Sequence, residues 1–98
     1  RAALEVPGRI LVVDDDAAVS RVLQRWLTDR GYLVESARTF DQVRDALASA
    51  EFDLVTLDIV MADVNGLAIL EWIREHHPDT EVVMATVLSD LDTVLEAV

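Results

Sequence analysis

The stretch RILVVDDDAAV, residues 9–19, runs from four consecutive apolar side chains straight into three aspartates. An uninterrupted aliphatic run of this length reads as a strand buried on both faces, as in a parallel sheet. The aspartates that follow pose an electrostatic problem, because two carboxylates about 5 Å apart repel by roughly 3 kcal/mol at an effective dielectric near 20. Solvation on an exposed turn, the positive end of a following helix, or a bound divalent cation would each offset that repulsion.

Outward from this stretch, short β-branched runs alternate with amphipathic ones. Val19, Val22, Leu23, Trp26 and Leu27 recur at helical spacing and predict one core-facing stripe, with Gly31 placed to end the helix. Residues 32–36, YLVES, read as a second strand. Thr39 and Gln42 have capping-box spacing and open a helix whose inner face is Val43, Ala46, Leu47 and Ala50. Residues 53–58, DLVTLD, form a third strand that closes on a carboxylate. A loop to Gly66 then leads into a helix carrying Leu67, Leu70 and Ile73, which Pro78 stops. Residues 81–86, EVVMAT, are the fourth strand, and Ser89 caps a last helix bearing Leu91, Val94, Leu95 and Val98. Residues 1–8 are a lead-in to one domain spanning 9–98.

Four strands separated by helices of this length imply right-handed crossovers and an open parallel sheet with helices on both faces. Such sheets bind ligands beyond the carboxyl ends of their strands. The residues expected at those ends are Asp14, Asp15, Asp58 and Thr86. Three carboxylates from two strand ends make an oxygen-rich pocket suited to Mg²⁺, while an acidic solvated turn is the plain alternative; spacing alone leaves both open. Asp16 is better placed to cap the following helix. By themselves, Asp58 also suits a loop or N-cap carboxylate and Thr86 an ordinary strand residue.

Composition narrows the function classes. The 98 residues fit one small domain, and the 52% hydrophobic fraction is that of a globular chain. Nineteen acidic against eight basic residues give a formal charge of −11, which argues against direct contact with nucleic acid or an anionic membrane. With no cysteine, disulfides and thiolate chemistry are excluded and a cytoplasmic location is permitted. The eight basic residues are all arginine, at positions 1, 9, 21, 25, 30, 38, 44 and 74.

The segments ILVVDDD, DLVTLDIVMADVNGLAIL and VVMATVLSD, in that order at successive strand ends, resemble the response-regulator receiver domain of two-component signalling. The resemblance runs from about Arg9 to Val98. It implies a flavodoxin-like sheet of strand order 2-1-3-4, with the family's fifth strand and last helix missing, and a cytoplasmic location. It further implies that Asp58 accepts a phosphoryl group from a sensor histidine kinase or phosphotransfer protein. Asp14, Asp15, Asp58 and the main-chain carbonyl of Val60 would hold Mg²⁺, and the Thr86 hydroxyl would turn inward to the phosphoryl group. Gly66 matches the family's turn glycine.

The chain departs from the family pattern in three respects. The family lysine at the end of the fifth strand has no counterpart, and no arginine stands in for it by position along the chain. Ala62 replaces a usual proline, and Val87 a usual small residue. Without a fifth strand, the fourth becomes an apolar edge, so the segment is expected either to be marginal alone or to hide that edge in a homodimer, by pairing with another copy or through exchanged elements. A receiver-like module that dimerises without phosphate is therefore the competing function, and a hydrolase using Asp58 is a third. Against the hydrolase, position 60 is valine and offers no acid or base. The chain is thus expected to be a kinase substrate with at most slow self-catalysed phosphoryl uptake and loss, and not an enzyme. His76 and His77 before Pro78 suit a helix C-terminus, with a metal or phosphorelay role as the alternative.

Overall fold

The computed structural model describes residues 7–58, 61 and 65–84. The element order is β1 (Arg9–Val13), α1 (Ala17–Asp29), β2 (Leu33–Ala37), α2 (Phe40–Ser49), β3 (Leu54–Leu57), α3 (Gly66–His76) and β4 (Glu81–Met84). All pairings are parallel and the strand order is β2-β1-β3-β4, the flavodoxin-like arrangement. The fourth strand's predicted end at Thr86 and the helix expected after Ser89 lie outside the described residues.

Side-chain alternation along β1 divides the core in two. Leu11 and Val13 face α2 and α3, joining Val43, Leu47, Val55, Leu57, Ile69, Leu70 and Ile73. Ile10 and Val12 face the other way, against Leu23 and Leu27 of α1. With both faces covered, β1 is apolar from Ile10 to Val13, and each fully buried aliphatic side chain contributes about 1.5–3 kcal/mol.

Capping accounts for the element boundaries. Asp16 accepts from the amides of Ala18 and Val19 and starts α1. Gly31, at φ 93°, follows the α1 C-cap Arg30 and returns its amide to Thr28 O, a left-handed conformation that favours glycine. Thr39 caps α2 by accepting from Gln42 N. Asn65 caps α3 by accepting from Ala68 N.

Two predicted faces need correction. Val22 and Trp26 do not face the core: they are 52% and 53% exposed, with the Arg30 guanidinium 3.5 Å from the Trp26 ring centroid. The predicted Val19 and Leu27 are buried and Leu23 packs against the core, while Ser20, which was not predicted, joins the buried stripe of α1. In α3, Leu67 is exposed and Ile69 takes the core position. Among the described residues β4 is one edge of the sheet, β2 being the other, and its Val83 and Met84 are exposed. No described helix is long and apolar enough to cross a membrane.

Candidate functional site

Parallel register builds the site. Val13 of β1 is paired with Ala37 on one side and Leu57 on the other, so the residues that follow emerge side by side at one edge. Asp14 N donates to Ala37 O at 3.2 Å and Asp58 N to Val13 O at 3.0 Å. These main-chain bonds extend the ladder one step past the strands and fix the two aspartates beside each other.

Asp14, Asp15 and Asp58 each bring a carboxylate oxygen within 4.8 Å of the others. Asp14 and Asp58 are buried, at 1% and 2% exposure, while Asp15 is half-buried. Asp14 Oδ1 accepts from Asp16 N at 2.8 Å. Its Oδ2 is buried and, among the described residues, accepts no hydrogen bond. Burial pushes the Asp14 carboxyl above its usual range; the amide of Asp16 pulls it back, and the negative charges of Asp58, Asp15 and Asp16 raise it further.

A buried carboxylate oxygen without a donor, facing two more carboxylates, lacks a positive charge and a coordination partner. Three hard oxygen donors suit Mg²⁺ or Ca²⁺, so the residues present fit a divalent cation. Asp16 stands apart in its role, its oxygen committed to the start of α1. Val60 and Thr86 lie outside the described residues. His76 and His77 close α3 at the opposite end of the sheet: His76 Nδ1 bonds Trp72 O at 3.0 Å, and its ring stacks on Trp72. Among the described residues neither histidine belongs to a cluster with metal-ligand spacing.

Arg38, which sequence position alone left out of the site, reaches it. It follows β2, and its Nη2 donates to the main-chain oxygen of Asp15 at 3.3 Å. The signal available beforehand was topological: a β1–β2 neighbour pair places the residue after β2 next to the residue after β1.

The family profile of the response regulator receiver domain matches residues 10–98. The alginate biosynthesis transcriptional regulatory protein AlgB of Pseudomonas syringae pv. tomato is 38% identical over 97 residues, covering 99% of this chain and 22% of the relative. The chain therefore spans about a fifth of that relative's length. Among solved structures, a CheY-like response regulator receiver domain protein from Methanospirillum hungatei superposes with a TM-score of 0.76 at 32% identity, covering 81% of this chain and 63% of that one. The response regulator TrrA of Thermotoga maritima, solved with Mg²⁺-BeF, gives 0.72 at 32% identity, covering 89% and 79%. TrrA has also been solved in complex with the histidine kinase ThkA. With the acidic edge, the strand order and the profile match in agreement, this chain belongs to the receiver domain family of two-component response regulators.

Proposed function

We propose that residues 9–98 form a phosphoacceptor switch domain in which Asp58 receives a phosphoryl group from a sensor histidine kinase or phosphotransfer protein. The observation that carries this reading is the convergence of Asp14, Asp15 and Asp58 at one sheet edge, with the buried Asp14 Oδ2 lacking a donor among the described residues. Asp14, Asp15 and Asp58 would hold Mg²⁺, together with the carbonyl of Val60. Bound there, the ion supplies neutralisation of charge on the phosphoryl oxygens.

The chain's own part is positioning. The main-chain bond from Asp58 N to Val13 O holds the acceptor carboxylate at the end of β3. One of its oxygens attacks phosphorus as the P–N bond to the kinase imidazole breaks; the imidazole leaves with the electron pair and takes up a proton. Asp58 then carries the acyl phosphate, and the Thr86 hydroxyl would turn to bond it and so couple chemistry to shape. TrrA, bound to a kinase in one structure and to Mg²⁺-BeF in another, is the precedent for such partners. The strongly negative segment would not itself contact nucleic acid, and a cytoplasmic location fits the kinase partner.

Incubating the chain and its Asp58→Ala form with Mg²⁺ and acetyl phosphate, followed by intact mass, tests the proposal. One added phosphoryl group in the parent and none in the variant is expected. No gain in a folded parent sinks the reading. Among the described residues β4 is an edge strand with Val83 and Met84 exposed, which favours a second reading, a module that dimerises without phosphate. Sedimentation showing a monomer at all concentrations, with and without acetyl phosphate, removes it.

A further inference from the structure

We infer that Arg38 is the anion-positioning residue of this site, its guanidinium standing at the rim of the acidic pocket to receive the oxygens of the incoming phosphodonor; this rests on the phosphoacceptor reading above. The main chain there is held on both sides. Ala37 O accepts from Asp14 N at 3.2 Å, tying the end of β2 to the first residue of the acidic loop. Arg38 N donates to Gln42 Oε1 at 2.7 Å, while Gln42 N donates to the Thr39 cap. The capping pair that opens α2 thus also anchors the arginine.

The side chain is directed at the site. Nη2 bonds the carbonyl of Asp15, whose own carboxylate is one of the three that converge. The positive charge therefore stands within one residue's breadth of the cluster. That bond engages one of five guanidinium donors, and the side chain is exposed, so a donor arriving from solvent meets it. A phosphodonor is itself an anion and must approach four aspartates at positions 14, 15, 16 and 58. A planar, permanently charged fork recognises phosphoryl oxygens in pairs and raises the local concentration of such an anion.

A bond to a main-chain carbonyl also fits a purely structural tie, and charge separates the two roles. Arg38→Gln removes the charge while keeping a polar side chain; Arg38→Lys keeps the charge. Acetyl phosphate is the donor probe, with half-saturating concentration and maximal rate of phosphorylation read by intact mass, and Mg²⁺ affinity is measured separately by calorimetry. For Arg38→Gln, the half-saturating acetyl phosphate concentration is expected to rise about fivefold with the maximal rate within about twofold. Mg²⁺ alone is expected to bind about two- to threefold more tightly, because a like charge has been removed from beside the carboxylates. Arg38→Lys should stay near the parent in both.

A loosened loop would instead weaken Mg²⁺ and donor together, and that result overturns the inference, as does an unchanged half-saturation. Asp58→Ala is the control on the underlying reading. If the parent gains no phosphoryl group, or Asp58→Ala gains it equally, the phosphoacceptor reading falls and takes this inference with it. If labelling depends on Asp58 but Arg38→Gln matches the parent, only the role of Arg38 falls.

Discussion

At the scale of single residues, the acidic edge is a place where function opposes stability. Asp14 is almost wholly buried, next to two other carboxylates, and its carboxyl is held above the ordinary value of 3.8. A raised carboxyl pKa means that the folded chain binds this proton more tightly than the unfolded chain does. The sign of the pH dependence follows: below 3.8 the group is protonated in both states and costs nothing, and stability declines as pH rises from there through the folded-state value. Above that value the full cost of the charge is present. Asp14→Asn keeps the oxygen that accepts from Asp16 N and replaces the unpartnered one with an amide. In the absence of divalent ions it should stabilise the fold by about 1 kcal/mol, seen as a rise of a few degrees in Tm near neutral pH that shrinks in acid. A variant that melts lower than the parent in EDTA would refute the account of Asp14 as a strained charge.

At the scale of elements, boundaries follow capping chemistry and faces follow neighbours. The capping signals at Asp16, Thr39 and Gly31 were legible in the sequence because each is a local event between residues two to four apart. Asp16→Ala should cost about 1 kcal/mol by urea unfolding and Asp16→Asn much less, since two of the orphan amides of α1, those of Ala18 and Val19, depend on that oxygen. The acidic constellation was also legible, because strand ends in a parallel sheet share one edge. The inward face of α1 was legible in part: Val19, Leu23 and Leu27 face inward, and Val22 and Trp26 do not. Periodicity gives a stripe about 100° wide and cannot tell its centre from its flank. Trp26 lies on the flank, where Arg30 covers its ring, while the small polar Ser20 takes a buried place. Leu27→Ala should therefore cost about 2–4 kcal/mol, whereas Trp26→Ala should cost under about 1 kcal/mol despite removing the larger side chain. Equal losses in urea titrations would restore the sequence reading of that face. Arg38 escaped notice for a related reason: its place at the site comes from the β1–β2 pairing, which no spacing along the chain encodes.

At the scale of the whole molecule, a formal charge of −11 is spread over a small domain, and the topology concentrates part of it at one edge. These two contributions respond differently to salt. Diffuse surface repulsion is screened by any electrolyte, with a Debye length of about 10 Å at 0.1 M, so NaCl should raise Tm modestly and saturate. The convergent carboxylates are too close together and too buried for such screening to reach fully. A divalent cation bound only by the folded state adds RT ln(1 + [L]/Kd), about 2.7 kcal/mol at a hundredfold excess over Kd, or on the order of ten degrees in Tm for a domain this size. Thermal melts in MgCl₂ and in NaCl at matched ionic strength should thus separate, with EDTA collapsing the difference. Asp58→Ala should keep the NaCl response and lose most of the extra Mg²⁺ increment, because it removes one of the three proposed ligands and no appreciable share of the surface charge. If the two salts raise Tm equally in the parent chain, the three aspartates are an acidic patch held together by the fold, and the cation they were argued to need is absent from its chemistry.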